Sequence, residues 1–143
     1  MVKPNGLIIC NISGFDKRNL KLAEYAEDAE PLNELEGQFR IIEIDVTRLT
    51  REALKQSSLT NKERDRSKNM FVLGFIYWLY HRKLDHTESF LSDKFKAKPE
   101  IAEANIQVLK AGYNYGITTE STFERYEIKP AKMPSGTYRN IVG

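Results

Sequence analysis

Thr60 to Leu84 reads TNKERDRSKNMFVLGFIYWLYHRKL, and the fold turns on how this stretch is placed. Its first half carries Lys62, Glu63, Arg64, Asp65, Arg66 and Lys68, whereas Met70 to Tyr80 carries no charge. A segment polar at one end and apolar at the other enters the core from the surface and stays there. Thr60 and Glu63 have the spacing of a capping box, in which each residue satisfies a backbone amide of the other. A start nearer Ser67 also fits, because Lys62 to Lys68 is too polar to need burial. Met70, Leu73, Tyr77 and Tyr80 share one helical face, while Phe71, Phe75, Trp78 and Leu79 lie on others. A helix apolar most of the way round is covered on several sides. Gly74 costs about 1 kcal/mol relative to alanine inside a helix, so a close neighbouring backbone is expected there. Nothing in the stretch performs recognisable chemistry.

Before this helix, Pro4-Asn5-Gly6 is turn chemistry leading into the apolar run Leu7 to Ile12. Such a run suits a parallel strand buried on both faces. Lys17 to Ala29 offers Leu20, Leu22, Ala23 and Ala26 at loosely helical spacing, with an acidic far end (Glu24, Glu27, Asp28, Glu30) and Pro31 as the stop. Phe39 to Val46 alternates well enough for a second strand. Thr47 to Gln56 fits a short helix around Leu49, Ala53 and Leu54.

Beyond the central helix, Asp85-His86-Thr87-Glu88 has capping-box spacing and opens a helix carrying Phe90, Leu91 and Phe95. Pro99 suits the first position of another helix, whose apolar residues recur at three and four and which is expected to end near Gly112 to Gly116. Tyr113 to Gly116 reads as a turn. Phe123 to Lys129 is a weak candidate for a late strand, and Pro130, Pro134, Ser135 and Gly136 mark an extended linker.

Composition limits function. The 143 residues fit one domain, and 41% hydrophobic with 29% charged residues is ordinary for a globular chain. A net charge of +2, from 22 basic and 20 acidic residues, argues against a dedicated nucleic-acid binder. The single cysteine, Cys10, rules out an internal disulfide and an all-cysteine metal or cluster site within the chain, and a reducing cytoplasmic setting is the simplest reading. No apolar run reaches the roughly 20 residues that span a bilayer, and no secretory signal pattern is present.

Candidate site residues are few. Cys10 reads as a small buried hydrophobe. His81 and His86 lack partners at metal-ligand spacing and read as structural or solvated. Arg48, Arg51 and Lys55 read as solvated in preference to anion-binding. In the basic cluster Lys62, Arg64, Arg66 and Lys68, the interleaved Glu63 and Asp65 weaken a phosphate-binding reading, and contact with an anion or partner is the minority alternative.

The segments GLIICN (6–11), TRLTREALK (47–55), SKNMFVLGFIYWLY (67–80), KFKAKPEIAEANIQVLKAGYNYG (94–116) and YEIKPAKMPSGTYRNIVG (126–143) together carry a resemblance. They resemble the later part of the gamma-type domain of 2-oxoacid:acceptor (ferredoxin) oxidoreductases, in particular the alpha subunit of the 2-oxoglutarate:ferredoxin type. The last two segments are the most specific.

The resemblance implies an α/β fold, part of a three-layer domain with a central parallel sheet, a smaller antiparallel sheet and packed helices. It also implies a parent enzyme that converts a 2-oxoacid and coenzyme A to acyl-CoA, carbon dioxide and reduced ferredoxin. Thiamine diphosphate, Mg2+ and a 4Fe–4S cluster belong to that parent complex, and none is expected in this chain. The implied partners are the rest of the alpha subunit and a thiamine-binding beta subunit, with ferredoxin and coenzyme A engaged through the holoenzyme. No nucleic acid or membrane is involved.

The family's opening glycine-rich unit, of the GxGGQG kind, is absent from this sequence, as is the thiamine-enzyme domain that follows in relatives. Residues 1–129 are therefore expected to be a partial gamma-type domain, with 130–143 a linker, and the fragment alone is expected to be inactive. Arg64, Arg66, Lys68 and Asn69 are the candidates for contact with coenzyme A or a partner domain. The alternative is a stand-alone protein-interaction module derived from the same domain.

Overall fold

The computed structural model describes residues 2–26, 29–35, 37–119, 125–129 and 132–139. Lys3 to Gly6 forms a turn in which the Gly6 amide donates to the Lys3 carbonyl at 2.9 Å. Asn5 sits at φ 59°, a left-handed conformation that asparagine tolerates at the third position of a type II turn, after proline at the second. The turn feeds β1 (Leu7–Asn11), which pairs in parallel with β2 (Arg40–Ile44), Ile9 opposite Ile42 and Cys10 opposite Glu43. These two strands form the sheet among the described residues. The α/β expectation holds at this level.

The expectation that β1 is buried on both faces does not hold. Leu7, Ile8 and Ile9 are only half-buried, and Cys10 alone is buried. Among the described residues β1 has one hydrogen-bonded neighbour, and none of them forms a strand against its outer edge. In β2 the alternation is clean: Ile42 and Ile44 are buried and Glu43 is exposed. Val46, read from sequence as the end of this strand, instead begins α3 (Val46–Ala53), because Asp45 accepts the Arg48 amide at 3.0 Å and caps the helix there.

Lys17 to Ala29 is not one helix. Asp16 caps α1 (Lys17–Leu22), and Glu24 at φ 62° ends it. Pro31 then opens α2 (Pro31–Leu35), since proline fits a first helical position as well as it stops a preceding helix. Glu27 and Asp28 lie outside the described residues.

Thr60 to Leu84 divides into two helices, so both sequence-derived starts are used. The Thr60–Glu63 capping box is present and opens α4 (Asn61–Asp65). After Arg66 and Ser67 the chain resumes as α5 (Lys68–Leu79). Phe71, Gly74, Phe75, Trp78 and Leu79 are buried along α5. The Arg82 amide donates to the Tyr77 carbonyl at 2.7 Å and the His81 amide to the Trp78 carbonyl at 3.2 Å. This is a Schellman closure with His81 at φ 52° in the position usually held by glycine.

α6 (Asp85–Lys94) starts one residue earlier than a capping box would require. Leu84 is its N-cap, and Glu88 pairs with Lys110 at 2.9 Å instead of reaching back. Of its aromatic residues, Phe90 remains 59% exposed, and Leu91 supplies the buried contact.

α7 (Pro99–Thr118) begins at Pro99 as expected but does not stop near Gly112. Tyr113 to Gly116 is helical. Gly112 and Gly116 are interior packing residues: a methyl group at Gly112 would run into the Phe71 carbonyl, and one at Gly116 into the Trp78 ring. Around this crossing the Phe71, Phe75, Trp78 and Tyr115 rings pack, with centroids 5.6 to 5.9 Å apart for the neighbouring pairs. Ile42, Ile44, Leu54 and Val108 complete the core.

The expected late strand is absent from its described part, Arg125 to Lys129, and Phe123 and Glu124 lie outside the described residues. Arg125 and Tyr126 close the C-terminus of α5. The Arg125 guanidinium donates to the Trp78 carbonyl at 3.2 Å, and the Tyr126 amide donates to the Leu79 carbonyl at 2.8 Å. Tyr126 also stacks on Tyr80, and its hydroxyl accepts from Arg40. Residues 132–139 are exposed and lack regular secondary structure, while Pro130 and 140–143 lie outside the described residues.

Candidate functional site

The four candidate residues lie at the α4–α5 junction, but the fold gives them different tasks. Arg64 is half-buried and donates to the Ser57 carbonyl at 2.9 Å, holding the loop after α3 against α4. Its Nε is buried without a hydrogen-bond partner. Arg66 is exposed beside Glu63, Lys68 begins α5 near Asp65, and Asn69 is exposed. The chain thus turns Arg64 inward and leaves Arg66, Lys68 and Asn69 toward the surface.

The acids between them are already engaged. Asp65 accepts two bonds from Arg51, at 2.8 and 2.7 Å, which hold its carboxyl below the usual carboxylate range. Glu63 accepts from the Thr60 hydroxyl at 2.7 Å and the Thr60 amide at 2.9 Å. Those bonds lower its pKa, with smaller contributions from Arg66 and Lys98.

Arg66 borders a groove of about 400 Å3 that sequence reasoning did not find. Ser67, Phe95, Lys98, Ile101 and Asn105 line it from the α5 start, the α6 end and the α7 start. The available signal was Asn105, a polar residue at a core-facing position of α7.

A second polar cluster sits at the C-terminal ends of the strands. Ser13 and Thr47 hydroxyls are 2.6 Å apart, and Asn11 accepts the Val46 amide at 3.1 Å. Its basic neighbours have partners: Arg48 meets Asp45 at 3.3 Å and Glu52 at 3.4 Å, and Arg51 is held by Asp65. These exposed pairs contribute little stability, and they agree with the solvated reading of Arg48 and Arg51.

Cys10 is buried, and burial, then Glu43, raises its thiol pKa, away from the reactive thiolate. Among the described residues, no group of three or more His, Cys, Asp or Glu side chains is arranged to hold a metal ion. These residues do not fit an iron–sulfur cluster or a magnesium site. Among them, no helix is long and apolar enough to cross a membrane.

An α/β domain whose sheet is parallel and whose central helix carries the SKNMFVLG segment agrees with the family match over residues 1–115, described as pyruvate ferredoxin/flavodoxin oxidoreductase. The chain belongs to that family. Over 138 residues, 96% of its length, it is 44% identical to the 2-oxoglutarate oxidoreductase subunit KorA of Mycobacterium tuberculosis. The chain spans 21% of that relative's length. No solved structure matches it.

Proposed function

We propose that this chain is a non-catalytic domain of the alpha subunit of a 2-oxoacid:ferredoxin oxidoreductase whose substrate is 2-oxoglutarate. The observation that carries this reading is the 44% identity to KorA across nearly the whole chain. The parent converts 2-oxoglutarate and coenzyme A to an acyl-CoA, carbon dioxide and reduced ferredoxin. Thiamine diphosphate, Mg2+ and a 4Fe–4S cluster, held elsewhere in the assembly, supply that chemistry.

In this reading residues 1–129 are part of a three-layer domain. Its parallel sheet extends beyond β1 and β2, and a smaller antiparallel sheet forms another layer. The outer edge of β1, unpaired among the described residues, and its half-buried apolar side chains support this, because an unpaired apolar edge is normally covered. Residues 130–143 link to a thiamine-enzyme domain. The chain's own task is packing: it positions a face carrying Arg66, Lys68 and Asn69 against a neighbouring domain, a thiamine-binding beta subunit or coenzyme A, with Arg64 bracing that face from behind. The assembly is cytoplasmic.

The test is 2-oxoglutarate- and coenzyme A-dependent reduction of ferredoxin, measured on the complete assembly and on the purified 143-residue chain. Activity is expected from the first and none from the second. Turnover by the chain alone would overturn the non-catalytic role, and an assembly inert toward 2-oxoglutarate would overturn the substrate. Charge reversal by Arg66→Glu with Lys68→Glu is expected to weaken assembly or raise the KM for coenzyme A. If neither moves, the contact is wrong.

A further inference from the structure

The groove beside Arg66 holds polar groups to which the fold gives no partner. Ser67 is 3% exposed, yet its hydroxyl makes no cap to α5 and no hydrogen bond among the described residues. Asn105, 9% exposed, donates Nδ2 to the Ile101 carbonyl at 2.7 Å and keeps Oδ1 free to accept. The Ser67 hydroxyl is not among the sealed, unsatisfied atoms of the core, so it opens into the groove that Ser67 lines and is available to a ligand there.

The same groove contains the start of α7, which no side chain caps. The Ile101 and Ala102 amides both donate to the Lys98 carbonyl, leaving the Glu100 amide without a protein acceptor. A helix of 20 residues presents partial positive charge at that end. Arg66 and Lys98 add two full charges. Glu63 also lines the groove; its carboxylate accepts from the Thr60 hydroxyl and amide and stays ionised beside both cations, so an incoming anion shares Arg66 and Lys98 with it. Glu100 is exposed at the rim and also borders the separate groove lined by Gln56 and Gln107.

We propose that this groove binds a small organic anion. Its phosphate or carboxylate head takes the Arg66 and Lys98 side chains, the Ser67 hydroxyl and the Glu100 amide. Its apolar body lies on Leu59, Phe95 and Ile101, which make most of the groove apolar. This inference rests on the geometry of the chain alone. It fails separately from the oxidoreductase reading, because binding is measured on the chain and turnover on the assembly.

The experiment titrates the 143-residue chain with phenyl phosphate, phenylacetate and inorganic phosphate while following backbone amide resonances by NMR. Saturable shifts centred on Ser67, Lys98 and Glu100 are expected with at least one aromatic probe, and the better of the two identifies the head group. Inorganic phosphate is expected to bind more weakly than phenyl phosphate if phosphate is the preferred head. Arg66→Gln with Lys98→Gln, both at exposed positions, is expected to weaken binding about tenfold, a change of about 1.4 kcal/mol. Ser67→Ala is expected to weaken it further if the variant folds, but the exposed pair decides the matter. Shifts scattered over the basic surface, no shift with either aromatic probe, or unchanged affinity in the double variant would each overturn the proposal.

Discussion

Gly74 and Gly112 meet at one crossing, and each leaves room for the other helix's backbone. A methyl group at Gly74 would run into the Leu109 carbonyl and lie 2.9 Å from the Tyr113 amide nitrogen, while one at Gly112 would run into the Phe71 carbonyl. Backbone cannot give way as a flexible side chain can, so α5 and α7 would have to separate along the centre of the core.

Gly74→Ala and Gly112→Ala are each expected to destabilise the chain by about 2 kcal/mol or more, since overpacking outweighs the gain of about 1 kcal/mol in helix propensity. Urea denaturation measures this. Gly14→Ala, where nothing lies within 4 Å of the added methyl, is the control. It is expected to change stability by no more than about 0.5 kcal/mol.

Thr50 is fully buried in α3, and its hydroxyl has no hydrogen-bond partner. Thr50→Val keeps the branched shape and removes the unsatisfied group. It is expected to raise stability by about 1 kcal/mol, read as a higher thermal midpoint. A lower midpoint would mean that the hydroxyl has a partner after all.

His81 holds a left-handed conformation at the end of α5 and is exposed. Replacing it with glycine removes a steric penalty of about 1–2 kcal/mol, partly offset by the greater freedom of the unfolded chain. A net gain of about 0.5–1 kcal/mol is expected by denaturant titration, and no gain would assign His81 a contact beyond its backbone role.

Asp65 and Glu63 both have folded pKa values below their unfolded ones. Their contribution is therefore fully present above about pH 5, beyond the ordinary carboxylate values, and is lost as pH falls from there through the lowered folded values. Asp65→Asn with Glu63→Gln is expected to flatten the acid limb of stability against pH while lowering the plateau at neutral pH. The same acid slope in the double variant would place the sensitivity in other groups.

Much of this was legible in the sequence because it depends on near neighbours along the chain. The Thr60–Glu63 cap, Pro99 at the start of α7, the Pro4-Asn5-Gly6 turn and the apolar length of α5 are all set by residues within a few positions of one another. Gly74 announced a close approach by its cost alone. The family segments placed the chain among its relatives, but the site was less legible, because Arg64 differs from Arg66 only in what the loop at Ser57 does in three dimensions.

The sequence by itself determined where α4 and α7 begin, since the Thr60–Glu63 cap and Pro99 act locally on backbone hydrogen bonding. The tertiary structure decided where α7 ends, because glycine reads alone as a stop but becomes a packing surface once Phe71 and Trp78 lie against it. It also decided that Arg125 closes α5 from 47 positions away and that Lys98, Ser67 and Asn105 share a groove with Arg66. Those relationships arise when helices pack side by side, and no local period in the chain encodes them.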